Sequence, residues 1–189
     1  MISRLVTAGV CLLALSTAFG SADAQVRRGE HGMHSAIPDG FTYIPFPPMG
    51  GRSGGDIVPL PESHFPYDAH IMVTMDRPGP AVAIDSQYNR ILDGYKKRCV
   101  TVDTRVLSQG TQNNYPYNEW LLTCDADKAS GKSKFSIVKS IVAQSSVLGY
   151  QYEISSKPDD AAVKTATDYL DTQVLCDDTS ASHPCQAAN

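Results

Sequence analysis

The sequence predicts an α+β fold in which an antiparallel sheet of four to five strands packs two helices on one face, in the order β-α-β-β-β-β-α. Two segments carry apolar residues at helical spacing, and five shorter segments carry the apolar or alternating runs that are typical of strands. Short polar loops join the strands that lie between the two helices, which favours an antiparallel meander.

The first two predicted elements of this domain are a strand over residues 71–75 and a helix after it. The strand segment is short and apolar, and a proline-glycine turn follows it. The helix is predicted from five residues that recur at intervals of three and four: Ala81, Ile84, Tyr88, Ile91 and Tyr95. Pro80 suits the first helical turn, and the basic residues 96–98 suit the last turn, whose carbonyl groups carry partial negative charge.

The remaining elements are four strands and a second helix. Apolar residues alternate with polar ones over residues 100–106, 119–124, 135–141 and 148–154. Such alternation indicates strands with one buried face and one wet face. The second helix is predicted over residues 158–175, because four residues form one apolar stripe: Val163, Ala166, Leu170 and Val174.

The N-terminus has the layout of a secretory signal. One basic residue, Arg4, precedes an apolar run over residues 5–19, and small residues lead up to Ala24. The run is shorter than the ~20 residues that a spanning helix needs. We therefore expect residues 1–24 to be a cleaved signal peptide, with the mature protein in the periplasm or outside the cell and no transmembrane segment left.

Residues 25–68 are predicted to be an extended arm or linker, and residues 69–189 a disulfide-bonded domain. Nine of the twelve prolines lie between residues 38 and 80, and glycines cluster at 50–55. We therefore expect neither a helix nor a central strand in the arm. Phe41, Tyr43 and Phe46 alternate with prolines, so this segment docks in a partner's groove, packs along its own domain or stays a loose linker.

Four cysteines remain after signal removal: Cys99, Cys124, Cys176 and Cys185. They allow three pairings, of which we favour Cys99–Cys124 and Cys176–Cys185. The first pair would tie two neighbouring strands, and the second would close a short C-terminal loop. Each disulfide would stabilise the fold by about 2–4 kcal/mol.

Composition argues against several functions. The net charge of −4 gives no reason to expect a nucleic-acid partner. No histidine occurs from residue 71 to residue 182, although serine and cysteine nucleophiles usually need such a base. Glycine-rich phosphate and dinucleotide motifs are missing as well. The sequence assigns the chain to no known family, and we expect a non-enzymatic domain without a cofactor that binds another envelope or extracellular protein, in an oligomeric state left open.

Two alternatives stay open. Five carboxylates lie on or beside predicted strands, and a facing pair would suit a hydrolase acting on cell-wall or other glycans: Asp103, Glu119, Asp125, Asp127 and Glu153. Three residues near the mature N-terminus would bind copper or zinc weakly: His31, Met33 and His34. Tyr115 and Tyr117, in a polar loop before Trp120, are further candidates for partner contact.

Overall fold

The computed structural model describes residues 29–33, 37–47, 49–60, 68–76 and 83–185, with only the backbone of Met33. The predicted signal peptide, residues 1–24, and the candidate ligand His34 lie outside these residues. The elements are β1 (Glu30–Met33), β2 (Phe41–Pro45), β3 (Arg52–Pro59), β4 (Ala69–Asp76), α1 (Ser86–Arg98), β5 (Val102–Gln112), β6 (Tyr115–Cys124), β7 (Lys134–Val142), β8 (Val147–Ile154), α2 (Asp160–Asp171) and β9 (Val174–Asp177).

The fold is α+β, as the sequence predicts. Within the described residues, seven strands form one antiparallel sheet in the order β2-β3-β4-β8-β7-β6-β5, and β1 pairs with β9 in a separate two-stranded sheet. The segment from β4 to α2 has the predicted order β-α-β-β-β-β-α. The sheet is larger than the predicted four to five strands because β2 and β3 extend it beyond β4.

The expectation that the segment 25–68 holds no central strand is wrong, because β3 pairs with β2 on one side and β4 on the other. Two of the prolines that suggested an arm stand at strand ends, Pro45 at the end of β2 and Pro59 at the end of β3. Gly54 has a positive φ of 152°, and a Cβ there would collide with the carbonyl oxygen of Val73. Glycine in this strand thus permits a close backbone approach.

The two helices lie on opposite faces of the sheet, which corrects the prediction of one face. Ile137 of β7 packs in one cluster with Leu170 of α2, and the next residue, Val138, packs in a second cluster with Ile91 of α1. Successive strand residues point to opposite faces, so the two clusters are on opposite sides. Eight of the nine residues of β7 are buried, as expected for a strand covered on both faces.

Both favoured disulfides are present in the structure. Cys99, which caps the C-terminus of α1, joins Cys124 at the end of β6, with Cα atoms 5.6 Å apart. Cys176 of β9 joins Cys185, with Cα atoms 5.0 Å apart. Across the ranges that the structure describes, no helix is both long and apolar enough to span a membrane.

Candidate functional site

An apolar cleft of about 340 Å³ opens on the sheet face that α2 covers. Its lining comes from β1 to β4, the segment before β2 and the start of β8: Gly32, Ile37, Tyr43, Ser53, Gly54, Ile57, Val73, Met75 and Leu148. Strand pairing builds the floor, since Ser53, Met75 and Leu148 are direct neighbours across β3, β4 and β8. Paired residues on adjacent strands share a face, so these side chains point into one space.

Apolar side chains at the rim of the apolar cleft are exposed to solvent. Ile37 is 43% exposed and Tyr43 is 39% exposed. Five of the seven large apolar side chains that are exposed in the described residues lie between residues 37 and 60: Ile37, Tyr43, Ile44, Met49 and Leu60. Of these five, Ile37 and Tyr43 both line the apolar cleft, and exposed apolar residues that share one part of the surface mark an interaction site, whereas single ones are ordinary.

The structure separates the five aromatic residues predicted for partner contact. Tyr43 lines the apolar cleft, Phe41 packs against the main core, and Phe46 is half-buried just after β2. Tyr115 is buried and stacks on His183, with ring centroids 3.9 Å apart. Tyr117 is half-buried, and the Lys139 ammonium lies 5.0 Å from its ring centroid.

A polar cleft of about 510 Å³ lies on the opposite face, beside α1. Its lining is mainly charged and hydroxylated: Asp68, His70, Met72, Arg98, Asp127, Ala129, Ser130, Lys132, Ser133, Lys134, Gln151, Glu153 and Ser155. It contains two of the five candidate carboxylates, Asp127 and Glu153, and His70, which stands opposite Glu153 in the β4–β8 pairing. His70 lies on β4, one residue before the histidine-free stretch of residues 71–182.

Lys134 contacts both carboxylates of the polar cleft. Its ammonium lies 2.7 Å from Asp127 Oδ2 and 3.9 Å from Glu153 Oε1. The Lys134 hydrogen bond and the backbone N–H of Ala129 lower the pKa of Asp127 to about 2. Glu153 Oε2 also accepts from the Tyr95 hydroxyl at 2.8 Å. Because the Lys134 ammonium contacts both carboxylates, this arrangement is an ion-pair network rather than two carboxyls placed on either side of a bond to be cleaved.

Glu119 is the carboxylate with a strongly raised pKa, but it lines neither cleft. Its side chain is fully buried on the α2 face, where the Ser108 hydroxyl donates to Oε2 at 3.1 Å. Its Oε1 has no hydrogen-bond partner among the described residues. Burial first, and the nearby Asp171 carboxylate second, raise the pKa of Glu119 to about 7. The other two candidates, Asp103 and Asp125, are exposed.

The predicted metal ligands are also separated. His31 lies on β1 directly opposite Cys176 of β9, and its Nε2 is 3.6 Å from Cys176 Sγ and 3.4 Å from Cys185 Sγ. Met33 is also on β1, but its side chain is outside the description, as is all of His34. The structure therefore groups His31 with two cysteines that sequence reasoning assigned only to a disulfide.

Comparison with known proteins gives no family. No protein-family model matches the sequence, and no curated protein matches it. Cyanobacterial PsbP (CyanoP) from Synechocystis sp. PCC 6803 has a similar structure, with 9% identity, a TM-score of 0.49, and coverage of 83% of this chain and 98% of that one. LpqN, described as involved in cell envelope biogenesis of Mycobacterium tuberculosis, has 14% identity, a TM-score of 0.43, and coverage of 80% and 87%. The fold and its clefts thus define an α+β protein with a preformed apolar cleft, and neither distant likeness supplies a function for it.

Proposed function

We propose that this protein is an exported, non-enzymatic binding domain whose apolar cleft holds an extended apolar segment of another envelope or extracellular protein. The apolar cleft carries the proposal. Its volume of about 340 Å³ falls within the range typical of ligand sites, which are preformed and mostly apolar with a few polar groups. Ser53 and the Tyr43 hydroxyl supply polar groups beside the apolar floor of Ile57, Val73 and Met75.

The position of β2 favours an extended segment as the ligand. In the described part of the chain β2 is an edge strand, paired only with β3. A partner segment can add to such an edge through main-chain hydrogen bonds, and every second side chain then points to the same face. On the α2 face, those side chains would reach the apolar cleft beside Tyr43. Covering about 100 Å² of apolar surface there would contribute about 2.5 kcal/mol.

Two further observations support export and a non-catalytic role. Two disulfides are typical of proteins in oxidising compartments, and the predicted signal peptide agrees with that location. The alternative of a glycan hydrolase has less support, because Lys134 binds both carboxylates of the polar cleft and keeps Asp127 ionised.

A peptide-display selection against the mature protein tests the proposal. We expect selected peptides to carry apolar residues at alternate positions. Substitution Ser53→Trp, which fills the apolar cleft, should weaken their binding by about tenfold or more. A tenfold loss corresponds to about 1.4 kcal/mol, which is less than the contribution of about 2.5 kcal/mol expected from the covered apolar surface. Ser156→Trp, at an exposed position after β8, is the matched control and should leave binding unchanged.

A crosslinking experiment in the native cell envelope tests the same site in place. A photoreactive phenylalanine analogue at Tyr43 should crosslink one specific protein. The same analogue at Val106, which is 55% exposed on the opposite edge strand β5, should not. Equal crosslinking from both positions, or selected peptides that bind Ser53→Trp as well as the wild type, would refute the assignment of the apolar cleft.

A further inference from the structure

A separate cluster of reactive side chains lies where β1 meets β9. Its members are His31, Cys176 and Cys185, and none of them lines the apolar cleft or the polar cleft. Their ligand atoms, the imidazole nitrogen and the two sulfurs, all lie within 4.8 Å of one another. Cys176 is buried, whereas His31 and Cys185 are half-buried, so the cluster has contact with solvent on one side.

The imidazole of His31 is oriented as a ligand. Its Nδ1 lies 2.7 Å from the carbonyl oxygen of Gly29. A carbonyl can only accept, so in the neutral ring Nδ1 carries the hydrogen and Nε2 presents its lone pair to the sulfurs. A backbone carbonyl that fixes the far nitrogen is the usual support for a metal-bound histidine.

The distances also fit a tetrahedral metal ion. Zinc binds sulfur at about 2.3 Å and histidine nitrogen at about 2.0–2.1 Å, which places N and S about 3.5 Å apart in a tetrahedron. The Nε2 of His31 is 3.6 Å from Cys176 Sγ and 3.4 Å from Cys185 Sγ. Only the two sulfurs are too close together, because they are bonded to each other. Opening that bond is the one change that the site requires.

Contacts independent of the disulfide hold the ligands in place. β1 pairs with β9 over four residues and keeps His31 opposite Cys176. The tail that carries Cys185 is bound by Asn113, whose Nδ2 donates to the carbonyls of Leu175 and Pro184 at 3.0 and 3.3 Å. The Asn114 side chain donates to the Ser182 carbonyl at 2.7 Å, and His183 stacks on Tyr115. These contacts would keep Cys185 near Cys176 after reduction.

We propose that reduction of the Cys176–Cys185 disulfide converts this cluster into a Cys₂His site for a divalent metal ion of the zinc class, and that exchange with the disulfide of an oxidised dithiol closes it again. A dithiol reductant supplies two electrons and two protons, so the disulfide becomes two thiols and the dithiol becomes a disulfide. On metal binding, both thiols release their protons to solvent, and the thiolates and His31 Nε2 bind the ion. Three protein ligands leave a fourth position for water or another ligand.

Cobalt(II) titration of the full exported protein tests the proposal. The protein is first reduced with a phosphine under nitrogen, and thiol counting verifies that Cys176 and Cys185 are free. We expect one equivalent of cobalt to bind, with thiolate-to-cobalt charge-transfer absorption and the visible bands of a tetrahedral ion. The oxidised protein should show neither signal. Failure of the reductant to open this disulfide in the folded protein would also overturn the proposal.

Variants identify the ligands. Loss of a group that only supports a metal ligand weakens metal binding by about tenfold or more. His31→Ala removes a ligand itself and should weaken cobalt binding by at least as much. Cys176→Ser should abolish the charge-transfer band. His70→Ala, a half-buried histidine on β4, is the matched control and should bind cobalt like the wild type. The double variant Cys99→Ser and Cys124→Ser should keep the charge-transfer band, because this second cysteine pair supplies no ligand to the metal. Unchanged binding by His31→Ala, in protein whose circular dichroism is native, would refute the site.

Discussion

The buried carboxyl of Glu119 predicts a stability change with pH that one substitution removes. Glu119 is fully buried, and only one of its two oxygens has a hydrogen-bond partner among the described residues. Burial raises its pKa from 4.5 to about 7. Between these values the folded protein holds a proton that the unfolded chain has released. The free energy of unfolding therefore falls as the pH rises from about 4.5 to about 7.

The magnitude follows from the size of the shift. The pKa rises from 4.5 to about 7, which is about 2.5 units. At 1.36 kcal/mol per unit, ionisation of Glu119 costs about 3 kcal/mol of folding free energy. Glu119→Gln cannot ionise, keeps an oxygen for the Ser108 hydroxyl, and nearly preserves the side-chain volume. We expect the variant to gain about 3 kcal/mol on the wild type between pH 4 and pH 8.

Urea unfolding at several pH values measures this difference. Trp120 is the only tryptophan of the chain and is buried beside α1, so its fluorescence reports unfolding. Other titrating groups are present in both proteins and cancel when the two free energies are subtracted. Asp103→Asn, at an exposed carboxylate, is the control and should give a nearly constant difference. A difference for Glu119→Gln that varies by less than about 1 kcal/mol over this range would refute the reasoning.

Three further predictions concern the framework. Lys139→Met should destabilise the fold by about 2–3 kcal/mol in urea unfolding, because its buried ammonium donates to the Leu170 carbonyl and the Asp171 carboxylate at the end of α2. Lys164→Met, on the exposed face of α2, should change stability by less than about 0.5 kcal/mol. Gly54→Ala should lower the melting temperature through a backbone collision, and Gly94→Ala, with nothing within 4 Å in α1, should stabilise by about 0.5–1 kcal/mol. Deletion of residues 25–68 should abolish cooperative unfolding followed by circular dichroism, since it removes β2 and β3 from the sheet.

The sequence was most informative where local periodicity decides structure. Apolar spacing predicts α1 and α2, a short apolar run predicts β4, and alternation predicts the strands from β5 to β8 in their observed order. The predicted start of α1 near residue 80 is too early, since the helix begins at Ser86. The predicted end of α2 near residue 175 is too late, because residues from Val174 onward form β9. The apolar stripe that includes Val174 predicts a helix, but the segment from Val174 onward pairs with β1 instead. Because β1 is distant in sequence, no pattern within the segment indicates this partner.

Which face of the sheet each helix covers depends on contacts between residues distant in sequence, and a local pattern does not include such contacts. In β7, Ser136 and Ser140 alternate with apolar residues, a pattern that predicts one wet face. Both serines are buried, and so is Lys139 on the opposite face. Lys139 binds the C-terminal carbonyl end of α2, where partial negative charge favours a cation, and Ser136 hydrogen-bonds with Tyr95 of α1. Lys139 and Ser136 are thus satisfied by different helices, one on each face of β7.

The segment before residue 60 has the weakest local pattern and yet contributes to both proposed sites. Tyr43 and Ile57 meet Leu148 in the apolar cleft, and His31 meets Cys176 and Cys185. The Glu30 carboxylate accepts hydrogen bonds from the turn that joins β7 to β8, at 2.8 Å from the Gln144 N–H. In each case the partners are about 90 residues or more apart in sequence. Proline and glycine limit the local structure of this segment, so its position comes from these long-range contacts. Binding at either site should therefore protect the amides of β1 and β2 from hydrogen exchange more than those of β6 and β7, which the core already protects.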